Sequence, residues 1–226
     1  MKGGLPEIQE IREAAQYLKG KVNRTELHHS TTFSQIVGGD IYFKMENHQK
    51  TGSFKARGAL NRVSRLSPEE KSHGIITASS GNHAQGVAYA AMVNGINAKI
   101  VMPEHTVPAK INAVQGYGAD VVLRGRDYSE ARDAAETIRK SEGRAFIEAF
   151  NDPYIIAGQG TIGLEILEDL PDVSTIVVPV GGGYDDTVLS YSGKHITGPC
   201  NTIQPFACAG PTKRPCKPVR RRENFT

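Results

Sequence analysis

The first 199 residues of this 226-residue chain contain no cysteine, and its three cysteines (Cys200, Cys208 and Cys216) all lie near the C-terminal end. A disulfide framework is therefore excluded for the body of the chain. Long apolar runs are missing as well. None reaches the roughly 18 residues of a membrane-spanning helix, and the opening MKGGLPEIQEIREAA has no apolar centre of the signal-peptide kind. These absences lead us to expect a soluble, cytoplasmic protein with no membrane partner. Excess charge is also lacking over most of the length. Residues 1–184 carry 20 Lys+Arg against 21 Asp+Glu, whereas residues 185–226 carry seven against three, so the formal net charge of +3 resides in the tail. Its basic run KRPCKPVRRR reads as a solvated end, and no nucleic-acid partner is expected.

What is present is alternation. From Pro6 to Lys19, Ile8, Ile11, Ala15 and Leu18 recur at helical spacing. Short apolar runs ended by Gly, Pro or Asn follow at 41–47, 74–80, 98–103, 120–125, 144–150 and 175–181, and these are expected strands. Helical patterns separate them at 53–66, 82–94, 108–117, 127–142 and 153–170. Alternation of this kind is what a mostly parallel sheet with helices on its faces requires, because parallel neighbours need a long crossover. Ligands of such folds collect beyond the carboxyl ends of strands. After Gly183 the alternation stops, and five of the twelve prolines fall in the last 42 residues, so 185–226 is expected to be an irregular, basic tail.

Three stretches lie at expected strand ends. In KTGSFKARGA, Gly52 and Ser53 stand where a chain leaving a strand turns into a helix, a place where backbone N–H groups can meet an anion. Lys55 follows on the first turn. It reads either as a solvated surface lysine or as an amine whose pKa is lowered so that it can attack a carbonyl and form a Schiff base. In ASSGNHAQG, the residues Ser79, Ser80, Gly81, Asn82 and His83 offer hydroxyl, amide and free N–H groups in one turn, either as an N-cap or as a seat for a substrate carboxylate. In VVPVGGG, Gly181, Gly182 and Gly183 let a phosphate approach the backbone. Two other patterns are set aside. GQGTIG (158–163) sits inside a helical stretch and reads as helix packing. The three cysteines with His195 lack the close pairing of zinc modules, so no metal is expected.

Taken in order, KMENHQKTGSFKARGA, SSGNHAQG and VVPVGGG, together with MPEHTVPAKINAVQGYGADVV and AGQGTIGLEILEDL, resemble the pyridoxal-phosphate-dependent threonine/serine dehydratase and serine racemase family over roughly residues 5 to 183. The resemblance implies an α/β protein with three-layer, mostly parallel sheets of the tryptophan synthase β-like kind. A smaller subdomain of about 75–149 would be nested in a larger region, 1–184. Pyridoxal 5'-phosphate would be the cofactor, carried by Lys55 as a Schiff base. Phe54 would pack on its ring, Asn82 would bond the ring hydroxyl and Gly181, Gly182 and Gly183 would cup the phosphate. Ser53, Ser79, Ser80, Gly81, Asn82 and His83 would bind the amino-acid substrate, and Ser80 would stand where racemases of the group place a second acid/base. The implied activity is β-elimination from threonine or serine to a 2-oxo acid and ammonia, with racemisation as the neighbouring chemistry and a homo-oligomer as the intact form.

The pattern breaks at one place. Family members continue their glycine loop into an apolar stretch, and here Tyr184, Asp185 and Asp186 follow the third glycine. Two carboxylates beside a phosphate repel it by on the order of a kcal/mol each when partly exposed. The abrupt change in composition leads us to expect a truncated or frame-shifted chain with an incomplete large domain. An inactive relative of the enzymes is the alternative reading.

Overall fold

The computed structural model describes residues 5–178 and the backbone of residues 206–209. In chain order the first elements are α1 (Ile8–Leu18), β1 (Leu27–His29), α2 (Thr31–Val37), β2 (Ile41–Lys44), α3 (Lys55–Ser64), α4 (Pro68–His73), β3 (Ile75–Ala78) and α5 (Asn82–Asn94). They are followed by β4 (Ala98–Met102), α6 (Pro108–Gln115), β5 (Asp120–Leu123), α7 (Tyr128–Glu142), β6 (Ala145–Phe146), α8 (Pro153–Asp169), β7 (Thr175–Val177) and β8 (Phe206–Ala209). No described helix is long and apolar enough to cross a membrane.

The parallel sheet expected from the alternation is present, in the order β5-β4-β3-β6 with every neighbouring pair parallel. Adjacent residues of its strands enter opposite cores, as the period of two demands. Ile75, Ile100 and Met102 join Val87, Ala88 and Ala91 of α5, while Ile76, Ala78 and Val101 join Ala131, Ala134 and Ala135 of α7. Both faces are therefore covered, which makes three layers. A second sheet, β1-β2-β8-β7, is antiparallel throughout its described pairs. Its strand β8 comes from the stretch read as irregular, and it lies between β2 and β7.

Helix α3 runs between α5 and α8, and its Ala56, Ala59, Leu60 and Val63 complete the larger core cluster. Glycine permits the close crossing with α8. A Cβ on Gly58 would lie 2.7 Å from Ile155 O, and one on Gly158 would lie 2.6 Å from Gly58 Cα. A Cβ on Gly160 would likewise crowd Ile11 of α1. Gly158 and Gly160 of GQGTIG thus serve helix packing, in agreement with their setting inside a helical pattern.

A buried charged cluster ties the same elements together. Arg57 donates to both Glu46 oxygens (2.9 and 2.8 Å) and both Glu165 oxygens (2.7 and 3.0 Å). Lys44 adds bonds of 2.6 Å to Glu165 and to Thr25 O, and Thr25 Oγ1 donates to Glu46. Lys44 and Arg57 are almost wholly inaccessible, and burial this deep is tolerated because carboxylate, carbonyl and hydroxyl acceptors surround the two side chains. The Arg57 pKa is accordingly raised: burial opposes the charge, and the bonds to Glu46 and Glu165 outweigh it.

Candidate active site

The site is built where α3 and α5 begin. Lys55 is the first residue of α3, half-buried, and its Nζ donates to the carbonyl of Ala149 at 3.3 Å. That nitrogen also lies 5.3 Å from the centre of the Phe54 ring and 5.1 Å from that of Phe150, within range of a cation–π attraction. Of the two readings left open for Lys55, the solvated surface lysine is the one this geometry disfavours. Ser53, two residues earlier, is buried, and its hydroxyl has no hydrogen-bond partner. An orphaned buried hydroxyl costs about 1–3 kcal/mol, a cost that a bound polar group would offset. Phe54 packs against the apolar cluster of Ile162, Ile166, Val173, Ile176 and Val178.

Helix α5 packs against the start of α3 for a steric reason. Gly86, on the first turns of α5, faces the backbone of Lys55, and a Cβ there would lie 3.0 Å from Lys55 C and O. Only a residue without a side chain lets the two helices touch at that level. Helix α5 begins at Asn82 after Gly81, with no side-chain cap and no acidic residue in its first turn. Its first N–H groups therefore lack intrahelical acceptors and are open to an anion. Ser79 Oγ accepts from Gly81 N at 3.3 Å, shaping the turn. Ser79, Ser80 and Gly81 are half-buried and Asn82 is exposed.

His83 is buried, and its Nε2 meets Ile147 O at 3.2 Å. A carbonyl only accepts, so Nε2 carries the proton. Burial first, and the neighbouring Lys55 charge second, push the imidazole down to about 4 against the opposing effect of the Ile147 carbonyl. The ring is neutral at physiological pH.

The structure thus brings together Ser53, Phe54, Lys55 and His83, with the Ser79–Asn82 turn leading into α5. Gly181, Gly182 and Gly183 lie outside the described residues. The sequence reading missed Ala149 and Phe150, which touch the lysine from a distant segment, and Thr77, whose hydroxyl meets Ile147 O at 2.8 Å. Strand-like periodicity in 144–150 was the available signal, but it carries no information about which carbonyl faces α3. Among the described residues no cluster of three or more His, Cys, Asp or Glu could hold a metal ion.

Comparison with known proteins decides the family. A model of pyridoxal-phosphate dependent enzymes matches residues 18–185, well over half of the chain. The chain belongs to the pyridoxal-phosphate-dependent enzymes. Among relatives, it is 54% identical over 176 residues to an L-threonine ammonia-lyase of Thermotoga maritima, covering 78% of this chain and 44% of the relative. A catabolic L-threonine dehydratase of Staphylococcus aureus is 51% identical over 177 residues, covering 78% and 51%. The chain therefore spans about half the length of the curated relatives it matches. Among solved structures, maize serine racemase superposes with a TM-score of 0.80 at 36% identity, covering 85% of this chain and 62% of that one. The processed form of tomato (Solanum lycopersicum) threonine deaminase isoform 2 gives 0.76 at 38% identity, covering 86% and 57%. The cofactor of the family is pyridoxal phosphate, and the residues present here fit it: a half-buried lysine amine, an orphaned Ser53 hydroxyl two residues before it, and an uncapped helix whose Gly86 packs on the lysine backbone.

Proposed function

We propose that this chain carries the amine and the substrate turn of a threonine (or serine) dehydratase, an ammonia-lyase acting on a hydroxy amino acid. One observation carries the reading: Lys55, its amine held at Ala149 O, packs its backbone against Gly86 of α5, an uncapped helix with no acidic residue in its first turn. An amino acid has a carboxylate for such a helix start and an α-proton for such an amine.

When bound, pyridoxal phosphate supplies an electron sink that stabilises negative charge at the substrate α-carbon. Lys55 would hold the cofactor, with Phe54 and Asn82 along its ring and the glycines 181–183 at its phosphate. The Ser79–His83 turn would orient the substrate through its carboxylate, and Ser53 Oγ would gain a partner. Lys55 Nζ, as the free base, would take the α-proton. The β-hydroxyl and the abstracted α-proton leave together as one water, and hydrolysis of the liberated enamine consumes one water, so threonine yields a 2-oxo acid and ammonia. The neutral His83 would be a weak competitor for that proton, because burial and the Lys55 charge hold its pKa down to about 4. We place the protein in the cytoplasm, as a homo-oligomer in its full-length form.

A second reading, serine racemisation, is favoured by the likeness to maize serine racemase and by Ser80 in the same turn. Purified chain incubated with the cofactor and L-threonine or L-serine separates the readings. Release of ammonia with 2-oxobutyrate or pyruvate supports the dehydratase, and D-serine formation supports the racemase. Neither product in a preparation that shows a visible cofactor absorbance would mean an inactive relative. A preparation without the absorbance, or one in which Lys55→Ala retains it, removes the basis of the proposal.

A further inference from the structure

The expected strand 144–150 is realised over only two residues, and the reason points to a device acting on Lys55. The pairing of β3 with β6 ends at Ile76↔Phe146, after which Ile147 N donates back to Ile76 O at 2.9 Å. The carbonyl of Ile147 is taken by two side chains, Thr77 Oγ1 at 2.8 Å and His83 Nε2 at 3.2 Å. A carbonyl has two lone pairs, so these donors together fill it. All three residues are buried: Ile147 is inaccessible, Thr77 is 1% exposed and His83 5%. Two residues further on, the carbonyl of Ala149 accepts from Lys55 Nζ and the ring of Phe150 lies over it.

We infer that Thr77 and His83 are positioning residues: their paired donors anchor the Ile147 carbonyl where β6 leaves the sheet, which aims the Ala149 carbonyl at the Lys55 amine. The inference rests on Lys55 being the working amine. A threonine that merely satisfied a core acceptor would be interchangeable with its isostere valine once His83 already donates to the same oxygen. The geometry gives it a further task, because the anchored oxygen sits two residues from the atom that holds Lys55. Three elements take part, β3 through Thr77, α5 through His83 and α3 through Lys55, and the 147–150 segment is their common partner.

The test uses the full chain without added cofactor and trinitrobenzenesulfonate as the probe. The labelling rate of each lysine is read by peptide mass spectrometry at one pH. In Thr77→Val, Lys55 is expected to label about two- to tenfold faster, the factor that one lost hydrogen bond supplies, while Lys71 and Lys110 keep their rates. Thr77→Ser retains the hydroxyl and is expected to restore the slow rate. An unchanged Lys55 rate in Thr77→Val, or equal rates in Thr77→Val and Thr77→Ser, overturns the inference. Should Thr77→Val fail to give soluble protein, His83→Leu against His83→Gln asks the same question, since glutamine keeps an N–H donor. Faster labelling of Lys55 in the leucine variant alone supports the anchor, and equal rates refute it. The reading of Lys55 itself fails separately, if Lys55→Ala binds pyridoxal phosphate with the absorbance and affinity of the parent chain.

Discussion

Gly158→Ala offers a direct trial of how α3, and with it Lys55, is seated. The added Cβ would lie 2.6 Å from Gly58 Cα, 2.7 Å from Arg57 O and 2.9 Å from Arg57 C. All three are backbone atoms, so no rotamer change relieves them. The helices α3 and α8 must separate by roughly 0.8 Å before ordinary contact distances return. Alanine brings a helix-propensity gain of about 1 kcal/mol over glycine, and overpacking of this kind costs about 1–3 kcal/mol. Contact with three backbone atoms puts the cost at the upper end, which leaves a net loss of about 1–2 kcal/mol. Gly160→Ala on the same helix is the control. Its nearest neighbour is the terminal Cδ1 of Ile11 at 2.9 Å, and the next atoms stand at 3.2 Å. The propensity gain is the same and the neighbour yields more easily, so its stability should stay within about 0.5 kcal/mol of the parent. Urea unfolding of the three proteins measures the difference. Because the clash passes through Arg57, two residues beyond Lys55, Gly158→Ala should also weaken pyridoxal phosphate binding severalfold in an absorbance titration. Equal urea midpoints for the two alanine variants would refute the reasoning.

Three further outcomes follow from the same structure. His83 is buried neutral with its pKa near 4 against an ordinary value of 6.5, so the unfolded chain binds its proton more tightly than the folded one. Stability from this residue is whole above about pH 6.5 and is lost as pH falls toward 4, by about 3 kcal/mol. Glu165, held low against its burial by Arg57 and Lys44, loses its contribution below its ordinary range in any variant that keeps it. Urea unfolding against pH should therefore be flatter for His83→Gln than for the parent between pH 6.5 and 4, and parallel curves would rule this out. Arg57→Met leaves the buried Glu46 and the half-buried Glu165 with Lys44 as their remaining cation, and should cost about 3–5 kcal/mol. A urea-measured loss below about 1 kcal/mol would show the cluster to be dispensable. Asp152 caps α8 by accepting from Tyr154 N and Ile155 N and also accepts from Arg62 Nε at 2.7 Å. Asp152→Ala should lower thermal stability by about 1–2 kcal/mol, and Asp152→Asn, which keeps the cap, by clearly less. Similar losses in the two would assign the whole effect to the ion pair.

The sequence makes the long elements legible because their burial is periodic. In α1 the spacing of Ile11 and Leu18 survives, although Ala14 rather than Ala15 is the alanine fully buried. The alternation of Ile75 and Ile76 between two cores is the period of two seen from inside. Short elements escape that method. Helix α2 buries none of its residues and α4 buries none either, so neither writes an apolar stripe. Capping chemistry was the remaining signal for α4, where Ser67 accepts from Glu70 N and Glu70 reaches back to Ser67 N. Strand β8 is a four-residue piece whose partners, Ile41–Lys44 and Thr175–Val177, are remote in sequence. Its pairing depends on backbone hydrogen bonds that no local pattern encodes.

The site divides along the same line. Local chemistry determined which residues could take part: a lysine at a helix start, a turn of serines, glycine and asparagine at another, and glycines where helices must touch. Only the tertiary structure decided that the lysine amine meets Ala149 O, 94 positions away, and that His83 is neutral. Residue type and spacing act over a few neighbours along the chain, through dihedral preference and face periodicity. Burial, desolvation and the choice of hydrogen-bond acceptor arise when distant segments exclude water together, and those quantities exist only in the folded molecule.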